Sequence, residues 1–271
     1  GNLPVPAFLF RSLDQPAALS RPALVWVHED IRGHLYEHYI PYIREAIARG
    51  YVVIAPEYRG SIGYGEHHYD AIDYGGAEVD DVVSAVDALT RCPEVDGARI
   101  GVIGWSHGGL IALLAVLRNP SAFAAAAAIV PVVNLADRVE RKGIAKQLAL
   151  IDPAHRVFVG PPAAQPDVYR TRSPLFQIDK LQVPLLVHVA KNDQDVEYGE
   201  GGPLVDALRT LKPELAVTKV YDHPVGGHVF DRRVNSTTWE PANSPEQVDS
   251  WKRVWRFLDR AVAQSRRAIL R

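Results

Sequence analysis

Short apolar stretches rich in β-branched residues alternate along this chain with stretches in which apolar positions recur at helical spacing. Residues 5–10 and 23–28 read as strands, 35–49 as a helix closed by Gly50, and 51–56 as the next strand. In residues 77–91, Val79, Val82, Val83, Val86 and Leu89 share one helical face. Strands are expected at 99–104 and 123–130, on either side of a Leu- and Ala-rich helix at 109–117. A strand at 184–190, a helix at 203–211, a strand at 216–221 and a helix at 245–263 complete the series. Such alternation predicts an α/β fold whose mostly parallel sheet carries helices on both faces.

The pattern lapses over residues 131–181, where helical patches (135–150) and a proline-rich run (161–166) replace it. An insertion of this length is expected to be either a lid or binding wall, or a peripheral helical excursion. No repeat, low-complexity tract or linker divides the chain, so a single domain over residues 1–271 is expected.

Composition narrows the classes further. A formal net charge of -2 gives no reason to expect nucleic acid or an anionic membrane as partner. The longest apolar run, residues 122–133, falls short of the ~20 residues of a membrane span. The single cysteine, Cys92, excludes an internal disulfide and a cysteine-based metal site. The absence of methionine means Gly1 is not a native initiator, and the compartment stays open.

The chemistry centres on Gly104-Trp105-Ser106-His107-Gly108, a G-x-S-x-G sequence between the apolar strand at 99–104 and the helix at 109–117. A serine on a sharp strand-to-helix turn presents its Oγ above the sheet, and small flanking residues allow the strained backbone. The N–H of His107 would then stabilise an oxyanion. A serine nucleophile needs a base, and the base an orienting carboxylate, in the chain order serine, acid, histidine. After the strand at 184–190 the chain reads Lys191-Asn192-Asp193-Gln194-Asp195-Val196; after the strand at 216–221 it reads Asp222-His223-Pro224-Val225-Gly226-Gly227-His228. Of ten histidines, His228 is the expected base, because two glycines let its loop fold toward the serine. His223 is its competitor. Asp193 is the expected acid, ahead of Asp195, because Val196 is placed to anchor the loop. The second oxyanion donor is expected from the main chain of Glu29 or Asp30, in the loop His28-Glu29-Asp30-Ile31-Arg32-Gly33. The Glu29 side chain is a candidate modulating charge near Ser106, with a surface or salt-bridged glutamate as the alternative.

Assembled, these residues resemble an α/β-hydrolase and, within that fold, the catalytic domain of the prolyl oligopeptidase family. The segment Tyr58-Arg59-Gly60-Ser61-Ile62-Gly63-Tyr64-Gly65 is similar to the family's characteristic loop, followed by Tyr74-Gly75-Gly76 with Glu78, Asp80 and Asp81. Residues 104–109, Arg172-Ser173-Pro174 and Gly227-His228 match in the same order, so the resemblance spans residues 4–262. It implies an α/β-hydrolase fold with a helical insertion at about 131–181, and the triad Ser106, Asp193 and His228. Two departures stand out. His28-Glu29-Asp30-Ile31 replaces the family's His-Gly-Gly-Pro and instead resembles the His-Glu-x-x-Gly segment of dienelactone hydrolases. Only about twenty residues precede the core strands, too few for the β-propeller such peptidases usually carry.

The leading expectation is a serine hydrolase of carboxylic esters working through an acyl-enzyme, with no metal or organic cofactor. Esters lose their leaving group more readily than amides, so a bare hydrolase domain needs little substrate clamping. The alternative is a serine peptidase of the aminopeptidase or acylaminoacyl type acting on short peptides. A third reading, a non-catalytic binding protein of the same fold, conflicts with the filled triad positions.

Overall fold

Every residue of strand β2 (Arg21–Val27) is buried, and its alternating side chains feed two separate cores. Ala23, Val25 and Val27 join one cluster, while Leu24 and Trp26 join the other. That is the pattern of a strand covered on both faces, where the sheet sits between helical layers. The computed structural model describes residues 3–14, 20–143 and 161–264. The other strands are β1 (Ala7–Phe10), β3 (Val52–Pro56), β4 (Val95–Trp105), β5 (Ala125–Ile129), β6 (Leu185–Ala190) and β7 (Ala216–Tyr221). They form one sheet in the order β1-β3-β2-β4-β5-β6-β7. Only β1 runs antiparallel to its neighbour; every other pairing is parallel.

Among the described residues the α-helices are α1 (Ile40–Ala48), α2 (Glu66–Asp70), α3 (Ala77–Thr90), α4 (His107–Arg118), α5 (Leu135–Lys142), α6 (Pro166–Thr171), α7 (Tyr198–Leu211) and α8 (Pro245–Leu258). The first core gathers residues of α3 and α4, including Val79, Val82, Leu110 and Leu113. The second packs Tyr42 of α1 against Trp251 of α8, ring centroids 3.9 Å apart, beside Trp26 and Trp105. Each fully buried side chain of this size contributes roughly 1.5–3 kcal/mol.

Most expected elements form, with shifted ends. The helix expected at 35–49 starts at Ile40, after a single 3-10 turn at Glu37–Tyr39. Pro41 explains the delay, because a proline without an N–H is best placed in a first helical turn. The helix expected from Pro203 starts at Tyr198 and carries Pro203 inside it, forfeiting one backbone bond. Strand β4 begins at Val95, four residues before the expected Arg99. The closing helix ends at Leu258 and continues as a π turn, Asp259–Ala263. Within the insertion, α5 is capped by the Asn134 side chain, and α6 and a 3-10 segment, Pro174–Lys180, follow the proline-rich run. The helical patch expected beyond Gly143 lies outside the described residues.

Topology fixes where chemistry can sit. From β2 the chain moves to β3 on one side, then returns to β4 on the other. At such a reversal the loops leaving the two strand ends diverge and open a crevice. The loop after β2 carries His28 to Gly33, and the turn after β4 carries Ser106.

Candidate active site

Ser106 sits between β4 and α4 with φ 53 and ψ −117, a conformation that costs of order 1–3 kcal/mol in a non-glycine residue. Its neighbours hold it there. Ser106 N–H donates to Ile129 O at 3.1 Å, and Ser106 O accepts from Leu110 N at 3.0 Å and Val132 N at 3.2 Å. The flanking glycines are needed for space. A Cβ at Gly104 would fall onto the carbonyl of Gly108, and one at Gly108 onto the carbonyls of Val27 and His28. The turn is thus pressed directly against the end of β2.

His228 lies in a short 3-10 turn, Gly227–Val229, entered through Gly226 at φ 103 and Gly227 at φ 52. A side chain at Gly227 would meet the Asn192 carbonyl at 2.9 Å, so the base loop and the acid loop are in close contact. His228 Nδ1 is 2.7 Å from Asp193 Oδ2. Asp193 is buried, and its Oδ1 accepts from the N–H groups of Asp195 and Val196, both at 2.8 Å. Asp195 is exposed. His223, the competing histidine, is also exposed and pairs with Asp222 at 3.2 Å.

Among the described residues, Asp193, Asp195 and His228 are the one set of histidine and carboxylate groups close enough to share a metal ion, with ligand atoms within 4.8 Å. Both Asp193 oxygens are already engaged, one by the imidazole and one by two amides. That arrangement suits a carboxylate that orients an imidazole.

The loop after β2 is fastened from several directions. Tyr58 Oη donates to Asp30 O at 2.6 Å, and His28 Nδ1 donates to Glu29 O at 2.7 Å. Ser61 Oγ lies 3.0 Å from His28 Nε2. Arg59 reaches Asp81 of α3 through Nε at 2.7 Å and Nη2 at 2.6 Å, which anchors the Tyr58–Ser61 turn. Of the two expected main-chain donors, the Glu29 N–H is taken by Tyr39 Oη at 3.3 Å. Asp30, at φ 68, lines the cavity that contains Ser106 and His107. The Glu29 amide thus already has a partner, which leaves Asp30 as the one of the two that lines the cavity.

The Glu29 side chain takes the salt-bridged alternative. It pairs with Arg232 Nη2 and lies 3.2 Å from His38 Nε2. Burial alone would raise its pKa, but Arg232 and His38 outweigh that and hold it well below the usual carboxylate range. Burial likewise disfavours the Arg232 charge, yet Glu29, Tyr39 and Asp231 keep it firmly protonated. For Asp231 burial dominates and the carboxyl is pushed up. Glu78 accepts from the amides of Gly75 and Gly76 and lies 3.4 Å from His107 Nε2. Burial works against the Glu78 charge, while His107 and the Gly75 amide lower its pKa overall.

A cavity of about 300 Å³ contains Ser106 and is walled by Asp30, Ile31, Arg32, Tyr74, His107, Val132 and Arg138. Arg138 comes from α5, so the insertion contributes a wall of the site. Its guanidinium reaches Tyr74 Oη at 3.1 Å, Asp195 O at 3.0 Å and Glu200 at 3.2 Å. Arg138 and Arg232 escaped the sequence reading. The only available signal was the position of Arg232 four residues after His228.

The seven-stranded sheet, the strained serine turn and the carboxylate-held imidazole define an α/β-hydrolase of the serine type. A sequence profile of the prolyl oligopeptidase family matches residues 39–262, and the chain belongs to that family. It is 32% identical over 188 residues to the acylamino-acid-releasing enzyme of Arabidopsis thaliana, covering 68% of this chain and 24% of that protein. Identity is 30% over 168 residues to the uncharacterized peptidase YtmA of Bacillus subtilis, covering 60% of each. Among solved structures, a Mycobacterium tuberculosis puromycin-hydrolyzing peptidase superposes with a TM-score of 0.78 at 24% identity. That superposition covers 97% of this chain and 38% of the other. The chain thus spans between about a quarter and three fifths of the length of these relatives. Two of them carry peptidase in their names and the third is named for releasing acylamino acids; none supports the expected ester substrates, and the peptidase alternative fits them better. The ester expectation rested on leaving-group ease and on the position of the first core strands, and neither separates an esterase from a peptidase built on the same triad.

Proposed function

We propose that this chain is a serine peptidase that cleaves short peptides whose amino terminus carries an acyl group, with residues 1–271 acting as a single catalytic domain. Ser106 Oγ attacks the carbonyl of the acylated residue while His228 Nε2 accepts its proton. Asp193 holds the opposite ring nitrogen at 2.7 Å and stabilises the imidazolium. The N–H groups of His107 and Asp30 stabilise the oxyanion. His228 then protonates the departing amine, and water hydrolyses the acyl-enzyme.

The observation that carries the acylated amino terminus is the charge of the cavity wall. Two guanidiniums, Arg32 and Arg138, line it with a single carboxylate, Asp30. That carboxylate already accepts from Tyr36 Oη at 3.0 Å. Arg138 is paired with Glu200, so a free ammonium would meet Asp30 and Arg32 in opposition, whereas an acyl carbonyl would face hydrogen-bond donors. Arabidopsis thaliana and Oryza sativa relatives named for releasing acylamino acids support the same reading.

The test is a three-member panel: N-acetylalanine p-nitroanilide, alanine p-nitroanilide and p-nitrophenyl acetate. The acetylated anilide is expected to exceed the free one in kcat/KM by at least about 10-fold, the worth of one good polar contact. Equal or faster turnover of the free anilide overturns the acyl preference. Ester cleavage with neither anilide turned over overturns the peptidase reading.

A further inference from the structure

The His28-Glu29-Asp30-Ile31 segment, which departs from the family's glycine-rich sequence, has a structural counterpart at the other end of the chain. Arg232 is 2% exposed and makes contacts to two separate parts of the site. Its Nη1 donates to the main-chain carbonyl of His228 at 2.8 Å. Its Nη2 pairs with the Glu29 carboxylate in the loop after β2. The adjacent Asp231, fully buried, lies 3.2 Å from Arg232 Nη1 through one oxygen. Through the other it accepts from Trp105 Nε1 at 2.7 Å, and Trp105 immediately precedes Ser106. The Asp231 main-chain carbonyl is itself held by Trp251 Nε1 at 2.6 Å and Gln247 Nε2 at 3.2 Å. The pair is therefore tied into the core.

We infer that Arg232 is a positioning residue that sets the imidazole of His228 and the oxyanion loop relative to Ser106. The inference rests on the roles proposed above for Ser106 and His228. A guanidinium suits this task because its planar fork places several donors in fixed directions, whereas an ammonium is a point charge on a flexible stem. Glycine in the place of Glu29 could not accept this contact, so the departure at position 29 and Arg232 act as one device. Catalytic geometry of this kind is sensitive to displacements of about 1 Å, which can cost on the order of 100-fold in rate. The contacts reach the base and the oxyanion loop without entering the cavity wall, so their loss should lower kcat and leave KM nearly unchanged.

The test uses Arg232→Lys, Arg232→Met, Glu29→Gln and the Arg232→Met/Glu29→Gln double variant, assayed on the best amide substrate. Ser106→Ala and His228→Ala serve as references. Arg232→Lys keeps the buried charge and serves as the variant that folds if Arg232→Met does not. Expected are kcat losses of roughly 10-fold for Arg232→Lys and roughly 100-fold for Arg232→Met, with KM within about 3-fold. The double variant should lose no more than Arg232→Met alone, because both changes break the same tie. A folded Arg232→Lys with full kcat overturns the inference, as do additive losses or an effect confined to KM. If Ser106→Ala or His228→Ala keeps activity, the proposed mechanism itself fails, which separates the two failures.

Discussion

Ion pairs hold both sides of the crevice, but in opposite surroundings. On the side of the oxyanion loop, the side chains of Glu29, Asp231 and Arg232 are 10%, 0% and 1% exposed. On the side of the acid loop, α5 grips residues 194–197 with side chains that water reaches. Lys142 Nζ donates to Gln194 O at 2.6 Å, and Arg141 lies 3.5 Å from Glu197. Arg141 and Glu197 are 39% and 45% exposed. A buried pair is costly to break, because removing one partner strands the other charge without water. An exposed pair is screened and contributes little. The first side is therefore a rigid base for the reaction, and on the second the Arg141 and Lys142 contacts can change with little effect on the fold, while Arg138 is held by the buried Glu200.

The largest effect should come from the element both sides serve. Ser106→Ala is expected to lower kcat by roughly 10⁴- to 10⁶-fold with the fold intact, as triad removals do. Retention of more than a tenth of the activity would take Ser106 out of the mechanism. Burial also separates the two aspartates of the acid loop. Asp193→Asn should lower kcat by about 10⁴-fold, because the imidazole loses its orienting partner. Asp195→Asn should stay within about tenfold of the parent in the same assay. The reverse order would move the acid role to the exposed residue and undo the contrast.

Stability measurements sharpen the comparison. Glu29→Ala should lower the unfolding free energy by up to about 3–5 kcal/mol in denaturant titration, since it leaves Asp231 as the remaining buried counter-charge of Arg232. A loss below about 1 kcal/mol would put the buried tie on a par with a surface pair. A pH titration tests burial in another way. His28 and His188 are buried, and desolvation brings both pKa values down from 6.5 to about 3. The native state keeps both neutral while the unfolded chain takes up protons below pH 6.5, so stability falls as pH drops from 6.5 toward 3. At one unit below the unfolded value each histidine costs about 1.4 kcal/mol. The share of Glu29, whose pKa is lowered, is lost only as pH falls below its ordinary 4.5, so the slope between pH 6.5 and 4.5 belongs to the histidines and the two windows overlap below that. His188→Gln should flatten the slope between pH 7 and 5, and an unchanged slope would remove His188 from this balance. The smallest effect is expected on the other side of the crevice. Arg141→Ala should shift the melting midpoint by about 1 °C or less. A shift of several degrees would mean that α5 is held as firmly as the buried tie.

What the sequence revealed follows the same division. The serine turn, the order of acid and base after successive strands, and the parallel sheet are local or periodic features, so they were legible as G-x-S-x-G, Asp193, Gly226-Gly227-His228 and the alternation of elements. The start of α1 was misplaced because apolar spacing continues upstream of Pro41, and the start of α7 because a glycine-rich first turn hides its helical character. Glu29, Asp231 and Arg232 were invisible as a unit, since about two hundred residues separate Glu29 from Arg232 and no spacing rule connects them. Arg138 was missed because α5 has no motif, only a surface turned toward the acid loop.

The central claim is that the strained turn after β4 presents Ser106 as an activated nucleophile. Labelling with a fluorophosphonate, followed by mass spectrometry of the digested protein, tests it most directly. One adduct on Ser106, abolished by His228→Ala and weakened by Asp193→Asn, is the result this account predicts. No labelling, or an adduct on another residue that survives Ser106→Ala, would contradict it.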